Sequence, residues 1–142
     1  MSATCAICEI FAIPNVSGTV PHAEDQAIRD LFTDEEVRKL VTSLKSRPDD
    51  ARIEVLDAAY WMKGCSSLGR LRFAVLLEVR TGKSKDDEFC LIDIKEANPA
   101  AAPRARNMFM PKDNGKRVVE GAKHLSPALG NRMIAPQRDR HT

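Results

Sequence analysis

Three groups of residues that could together form an anion-binding site follow one another between residues 63 and 120. The first is a glycine- and serine-rich stretch between two strand-like segments, and its candidate ligands are Lys63, Gly64, Cys65, Ser66, Ser67 and Gly69. Glycines lack a Cβ atom, so backbone N–H groups there can approach an anion closely. Lys95 follows near the end of a later strand-like segment, and Glu120 lies on a helical segment after it. This order predicts a nucleotide site of the protein-kinase type, in which a loop covers the phosphates, a lysine contacts them and a glutamate orients the lysine.

Each group also fits a simpler structural role, and these alternatives stay open at this point. The stretch that ends at Gly69 could be a tight turn, and it is not a P-loop because Arg70 and a strand follow it. Lys95 could carry its ammonium group from the strand end into water. Glu120 could pair with basic residues three or four positions away on its own helix.

Hydrophobic spacing predicts two helices ahead of these residues. Apolar side chains recur every three or four positions between residues 22 and 45, which predicts one helix over about 23–31 and a second that begins at Asp34. Thr33 followed by Glu36 is typical of a capping box. Pro48 cannot continue a helix and therefore marks the end of the second one.

The elements that carry the candidate residues are predicted to be strands and a last helix. Alternating apolar residues over 55–62, 70–80 and 89–96 predict three strands, and the short polar connections between them favour an antiparallel meander. In the third strand, one face carries Cys90, Ile92 and Ile94, and the other carries Leu91, Asp93 and Lys95. Residues 114–129 predict a helix capped by Asp113 or Asn114. Its expected apolar stripe is Val118, Ala122, Leu125 and Leu129, and a close approach is expected at Gly121.

The fold class is therefore α+β, an antiparallel β-meander of about three strands with flanking helices. The 142 residues, 43% hydrophobic and 30% charged, suit a single globular domain and exclude a disordered chain or a coiled coil. We expect a loosely ordered segment over 1–21, the domain over 22–134 and a polar tail over 135–142. The longest apolar run, residues 73–77, is far below the ~20 residues that cross a bilayer. Without a basic region before the first apolar stretch, the sequence predicts a cytoplasmic protein that does not contact membranes.

Cysteine spacing and charge distribution limit the remaining classes of function. Cys5 and Cys8 form a single C-x-x-C pair, and a four-ligand zinc site needs a second pair that Cys65 and Cys90 are not spaced to provide. Residues 1–62 hold 6 Lys/Arg and 11 Asp/Glu, whereas residues 63–142 hold 16 and 9. A basic second half can meet a polyanion. Aromatic residues make up only 5% of the chain, which argues against a nucleic-acid partner that binds by base stacking.

Three motifs of the sequence resemble a bacterial family, the domain of unknown function 2252. Residues 57–72, which include Gly64-Cys65-Ser66-Ser67-Leu68-Gly69, resemble its glycine-loop region. Leu91-Ile92-Asp93-Ile94-Lys95-Glu96-Ala97 resembles its Lys-Glu-Ala strand, and Arg117-Val118-Val119-Glu120-Gly121 resembles its helix motif. The resemblance covers about residues 33–134. The family is similar to protein kinases and aminoglycoside phosphotransferases, so the resemblance implies a kinase-like, nucleotide-binding small lobe.

The resemblance also implies how the candidate residues would act. Lys95 would contact the phosphates, Glu120 would orient Lys95, and the glycine-rich loop over 64–69 would cover the phosphates. The implied cofactor is ATP with Mg²⁺. Family members carry a Gly-Asp-x-His-x-x-Asn-Phe stretch and an acidic stretch upstream of the loop, as catalytic-loop and metal-binding elements. Neither occurs in the 63 residues before Gly64, so no catalytic and no metal-ligating residue is assigned.

The expected function is that of an incomplete or truncated kinase-like protein that binds nucleotide or phosphate and is inactive alone. A complementary polypeptide could complete it, or the exposed lobe face could mediate self-association. Candidate residues for such an exposed face are Trp61, Met108, Phe109 and Met110. The alternatives are a basic module that binds a polyanion or nucleic acid, and a structural remnant without a ligand.

Overall fold

A computed structural model describes residues 3–5, 20–44, 47–61, 70–82 and 88–136. Its centre is an antiparallel sheet with the strand order β1-β4-β3-β2. Strands β2 (Arg52–Tyr60), β3 (Arg72–Arg80) and β4 (Glu88–Glu96) form a meander, and the short β1 (Ala3–Cys5) pairs with β4. Two helices precede the meander, α1 (His22–Leu31) and α2 (Glu35–Ser43), and α3 (Asn114–Leu125) follows it. The predicted α+β class with a three-stranded antiparallel meander is confirmed, and β1 is a strand that the sequence analysis did not predict.

One face of the sheet forms the core because apolar residues alternate along β3 and β4, and β2 adds Val55 and Ala58 on either side of a bulge. Phe73, Val75, Leu77 and Val79 of β3 are buried, as are Cys90, Ile92 and Ile94 of β4. Apolar residues of the first two helices join the same cluster, namely Ile28, Phe32, Val37, Leu40 and Val41. Helix α2 therefore buries Val37, Leu40 and Val41, which belong to the spacing that predicted it. The buried residue of α1 is Ile28, one position after Ala27 of the predicted spacing. The opposite face carries the polar residues of the candidate site.

The N-terminus of α2 differs from the predicted capping box. The side chain of Asp34 accepts hydrogen bonds from the backbone N–H groups of Glu36 (2.8 Å) and Val37 (3.2 Å), so Asp34 is the N-cap. The Thr33 hydroxyl instead donates to the carbonyl oxygen of Asp30 at 2.7 Å, at the end of α1. The predicted cap at Thr33 is wrong by one residue because a carboxylate was available at the next position.

Helix α3 begins where the sequence predicted, but it buries a different face. Asp113 is its N-cap and accepts from the N–H of Lys116 at 2.8 Å. The buried residues of α3 are Gly115 and Val119, and the helix lies against β1. Leu125, from the predicted apolar stripe, is 86% exposed. A Cβ atom added to Gly121 would meet nothing within 4 Å, so the close approach expected there is also wrong.

The four apolar residues proposed for an exposed face separate into two groups. Met108 and Phe109 are exposed, and Met110 is half-buried, in the connection between β4 and α3. Trp61 is buried and lies under the guanidinium group of Arg72. Trp61 is therefore part of the packed structure at the end of β2 rather than of an exposed lobe face.

Candidate anion-binding site

The candidate site lies at the end of the sheet where β2 leads into the glycine-rich stretch. Residues 62–69 lie outside the described residues, and the predicted ligands Lys63, Gly64, Cys65, Ser66, Ser67 and Gly69 are among them. The residues on either side of this stretch are described. The backbone N–H of Trp61 donates to the carbonyl oxygen of Arg72 at 2.9 Å, which holds the two ends of the connection together.

The returning end of this connection is fixed to the last residues of β4. Glu96 donates its backbone N–H to the carbonyl oxygen of Leu71 (2.9 Å), and the Glu96 carboxylate accepts from the N–H of Leu71 (3.1 Å). With its amide oxygen turned towards Arg70, Asn98 accepts from that guanidinium group at 3.1 and 3.2 Å. The end of β4 that carries Lys95, together with the residues just after it, is therefore hydrogen-bonded to Arg70 and Leu71, the residues that directly follow the glycine-rich stretch.

The centre of the site is a carboxylate held by two cations. Asp93 of β4 has a side-chain exposure of 0%, and Arg72 donates to both of its oxygens, Nε to Oδ1 at 2.8 Å and Nη2 to Oδ2 at 2.6 Å. The Nζ atom of Lys95 lies 2.9 Å from Asp93 Oδ2. A buried carboxylate is costly unless it is paired and hydrogen-bonded, and these contacts meet that requirement. The three side chains together carry one excess positive charge.

Sheet register explains why these three side chains meet. Arg72 is the first residue of β3 and lies directly opposite Lys95 of β4. Asp93 is two residues before Lys95 and therefore points to the same face of the sheet. The Arg72 guanidinium lies 4.5 Å from the centre of the Trp61 ring, within the range of a cation–π contact. The Trp61 ring therefore supports the guanidinium that holds Asp93.

The two predicted site residues that are described are not brought into contact with each other. Lys95 has a side-chain exposure of 40% and pairs with Asp93. Glu120 is exposed on α3, and within the described ranges no ion pair joins it to Lys95. The carbonyl oxygen of Glu120 lies 2.8 Å from Nδ1 of His124 on the same helix. The orienting role that the family resemblance gave to Glu120 stays a prediction.

Sequence reasoning missed Arg72 and Asp93 as parts of the site. Their alternation with apolar neighbours placed both on the polar face of the sheet, but the ion pair depends on the register between β3 and β4. One signal was available, since Asp93 and Lys95 are two apart on one strand and opposite charges at that spacing share a face.

Comparison with known families relates the whole of this region to one group of bacterial proteins. The model of a family described as "Uncharacterized protein conserved in bacteria (DUF2252)" matches residues 7–141. The chain belongs to the DUF2252 family. The DUF2252 match includes all three motifs, in residues 57–72, 91–97 and 117–121, and confirms the resemblance inferred from them. No curated protein and no solved structure matched the chain.

Two further findings concern the described part of this DUF2252 protein. None of its described helices is both long and apolar enough to cross a membrane. Among the described residues, no three or more His, Cys, Asp or Glu side chains are grouped so that they could hold a metal ion.

Proposed function

We propose that this chain is the nucleotide- or phosphate-binding part of a kinase-like protein, resembling a small lobe, and that it is inactive alone. One observation carries the proposal. Leu71, which follows the glycine-rich stretch, is hydrogen-bonded to Glu96 at the end of the strand that presents Lys95. A sequence with two glycines and two serines, bounded by residues that are bonded to the strand of an accessible ammonium group, suits the binding of a phosphate chain. The family resemblance supports the same function.

The electrostatics of the described residues support an anionic ligand. Arg72 and Lys95 lie opposite each other, and within the described ranges the Asp93 carboxylate contacts both. Lys95 keeps 40% of its side chain exposed, so its ammonium group can reach a ligand from solvent. Its three N–H donors exceed the number that the contact with Asp93 requires. The excess charge and the accessible donors are what a phosphate group needs.

Thermal unfolding with and without nucleotide tests this proposal. A ligand that binds only the folded state stabilises it by RT ln(1 + [L]/Kd), about 2.7 kcal/mol at one hundred times Kd. We expect ATP-Mg to raise the Tm and Lys95→Ala to remove the rise. Lys39→Ala is the matched control because Lys39 is exposed on α2, which packs against the opposite, apolar face of the sheet. Absence of a shift at millimolar ATP-Mg in the unsubstituted chain would refute the nucleotide site.

The choice of ligand separates recognition of phosphate from recognition of the base. Tripolyphosphate should also raise the Tm if Lys95 and the glycine-rich stretch bind the phosphates, whereas adenosine should have little effect. A rise with adenosine alone would place the recognition elsewhere. The isolated chain should show no ATP hydrolysis or phosphoryl transfer. Turnover that Lys95→Ala abolishes would contradict the inactive state that we propose.

A further inference from the structure

Asp93 is the residue most tightly enclosed at the candidate site. Its side chain has no exposure to solvent, although it lies on the polar face of the sheet. Arg72 occupies both of its oxygens in a two-pronged contact, and this geometry fixes the plane of the carboxylate. The side chain of Arg72 is itself only 12% exposed and stacks on Trp61. Asp93 therefore has little freedom to move.

Lys95 is bound to this fixed carboxylate on one side and open to solvent on the other. Its Nζ atom shares Oδ2 of Asp93 with Nη2 of Arg72, at 2.9 and 2.6 Å respectively. A free lysine side chain has many rotamers, and restricting it costs up to about 2 kcal/mol. The contact with Asp93 restricts the Lys95 side chain already in the absence of ligand, so ligand binding causes a smaller loss of conformational entropy. The ammonium group of Lys95 is thus oriented in advance.

Glu120 does not provide a comparable restraint in this structure. It is exposed on α3, and Asp93 is the only carboxylate within 4 Å of Lys95 Nζ in the described ranges. Asp93 is two residues from Lys95 on the same strand, so their separation does not depend on the position of α3. A carboxylate on α3 depends on how the helix lies.

We infer that Asp93, held by Arg72, is the residue that positions Lys95 for its anionic ligand. This inference rests on the proposed function and adds a positioning residue to it. Asp93 acts through Lys95 and does not contact the ligand. The inference gives a prediction that opposes simple electrostatics. Removal of the Asp93 charge makes the site more positive, yet it should weaken the binding of an anion because Lys95 loses its orientation.

The test measures the Kd of ATP-Mg for Asp93→Asn, which keeps the size of the side chain and removes its charge. We expect Kd to rise roughly ten- to one-hundredfold, the range found for partners that orient metal ligands. In a Lys95→Ala background, the weak affinity for ATP-Mg that persists at high ligand concentration should not fall further with Asp93→Asn, because Asp93 acts only through Lys95. A purely structural role would instead weaken both backgrounds equally. Trp61 is the only tryptophan, so its fluorescence reports whether the support beneath Arg72 is intact.

Three results would overturn the inference, and one of them also removes the proposed function. Unchanged or tighter binding of ATP-Mg by folded Asp93→Asn refutes the role of Asp93 alone. Glu120→Gln provides a second variant at an exposed position, which matters if Asp93→Asn does not fold. Weakening by Glu120→Gln as large as that by Lys95→Ala assigns the positioning to Glu120 instead. Absence of binding in the unsubstituted chain refutes the site itself together with the role of Asp93.

Discussion

Arg72 and Lys95 lie directly opposite each other on β3 and β4, and both donate to the buried carboxylate of Asp93. Like charges in directly opposite positions destabilise an antiparallel pair of strands. Asp93 offsets this repulsion because it shares their face of the sheet and contacts both. The sheet end therefore needs Asp93 for its stability, and the cluster still keeps an excess positive charge for a ligand.

Substitution of Asp93 by Ala should destabilise the fold strongly. Arg72 loses its two-pronged contact with Asp93, and loss of one partner from a buried ion pair typically costs about 3–5 kcal/mol. Glu54→Ala is the control, because Glu54 is an exposed strand carboxylate whose contact with Arg52 is 4.0 Å long. Exposed pairs contribute about 0–1 kcal/mol. Denaturant unfolding measures both free energies, and equal losses for the two variants would contradict the buried pair.

The buried face of the meander should be far more sensitive to truncation than the exposed part of α3. Leu77 is completely buried in β3, and Leu→Ala in a core costs about 2–5 kcal/mol. Leu125 is 86% exposed, so Leu125→Ala should change the free energy of unfolding by no more than about 0.5 kcal/mol. Urea unfolding measures the free energy of unfolding of both variants, and the comparison is valid when their m-values are the same. A large loss for Leu125→Ala would restore the apolar stripe that the sequence predicted.

Removal of the α2 cap should identify which residue provides it. Asp34→Ala should cost about 1 kcal/mol, because the N–H groups of Glu36 and Val37 lose their acceptor. Thr33→Ala removes a hydroxyl whose contact is with Asp30 at the end of α1, and the expected loss is smaller. Thermal or chemical unfolding of the two variants measures the difference. The reverse order of the two losses would support the capping box predicted from Thr33 and Glu36.

Strands β3 and β4 were predictable because the alternation of apolar residues is a local property of each segment. Phe73 to Val79 and Cys90 to Ile94 show that period clearly, and the structure buries the expected face. The face of α3 was not predictable in the same way, because Val118 and Val119 are both apolar and packing against the rest of the fold selects Val119.

The candidate site likewise has one part that a local sequence pattern predicts and one part that depends on long-range pairing. Its lysine could be named from the sequence, because a lysine at a strand end after a glycine-rich stretch is a local pattern. The burial of Asp93 could not, since it depends on Arg72, a residue 21 positions away that the register of β3 and β4 brings opposite. Charge alternation predicts which face a residue occupies, but only the strand register determines its partner.

Tyr60 should ionise at a higher pH than an ordinary tyrosine. Its hydroxyl donates to the carboxylate of Glu24, and this hydrogen bond, followed by desolvation and the negative charge of Glu24, raises the pKa of Tyr60. Tyr60 is the only tyrosine, so absorbance of the tyrosinate ion reports it alone. Glu24→Gln should lower the pKa towards the ordinary value, about 10.

The same hydrogen bond predicts the direction of an alkaline change in stability. The unfolded chain loses the Tyr60 proton near pH 10, whereas the folded chain holds it to higher pH, so the contribution is complete below pH ~10 and is lost as the pH rises through the folded pKa. Tyr60→Phe should remove this part of the pH dependence, as measured by unfolding at a series of alkaline pH values. A Tyr60 titration that Glu24→Gln leaves unchanged would contradict the contact.

Two identical substitutions at glycines should change stability in opposite directions. Gly121 lies in the interior of α3 with open space around it, so Gly121→Ala should stabilise the fold by up to about 1 kcal/mol, the difference in helix propensity. Gly130 also has open space, but its φ of +57° belongs to a region that residues with a Cβ atom adopt at a cost of about 1–2 kcal/mol. Gly130→Ala should therefore destabilise the fold. Chemical unfolding of both variants measures the two changes, and a loss of stability in Gly121→Ala would mean that a close contact does lie against α3 at this position.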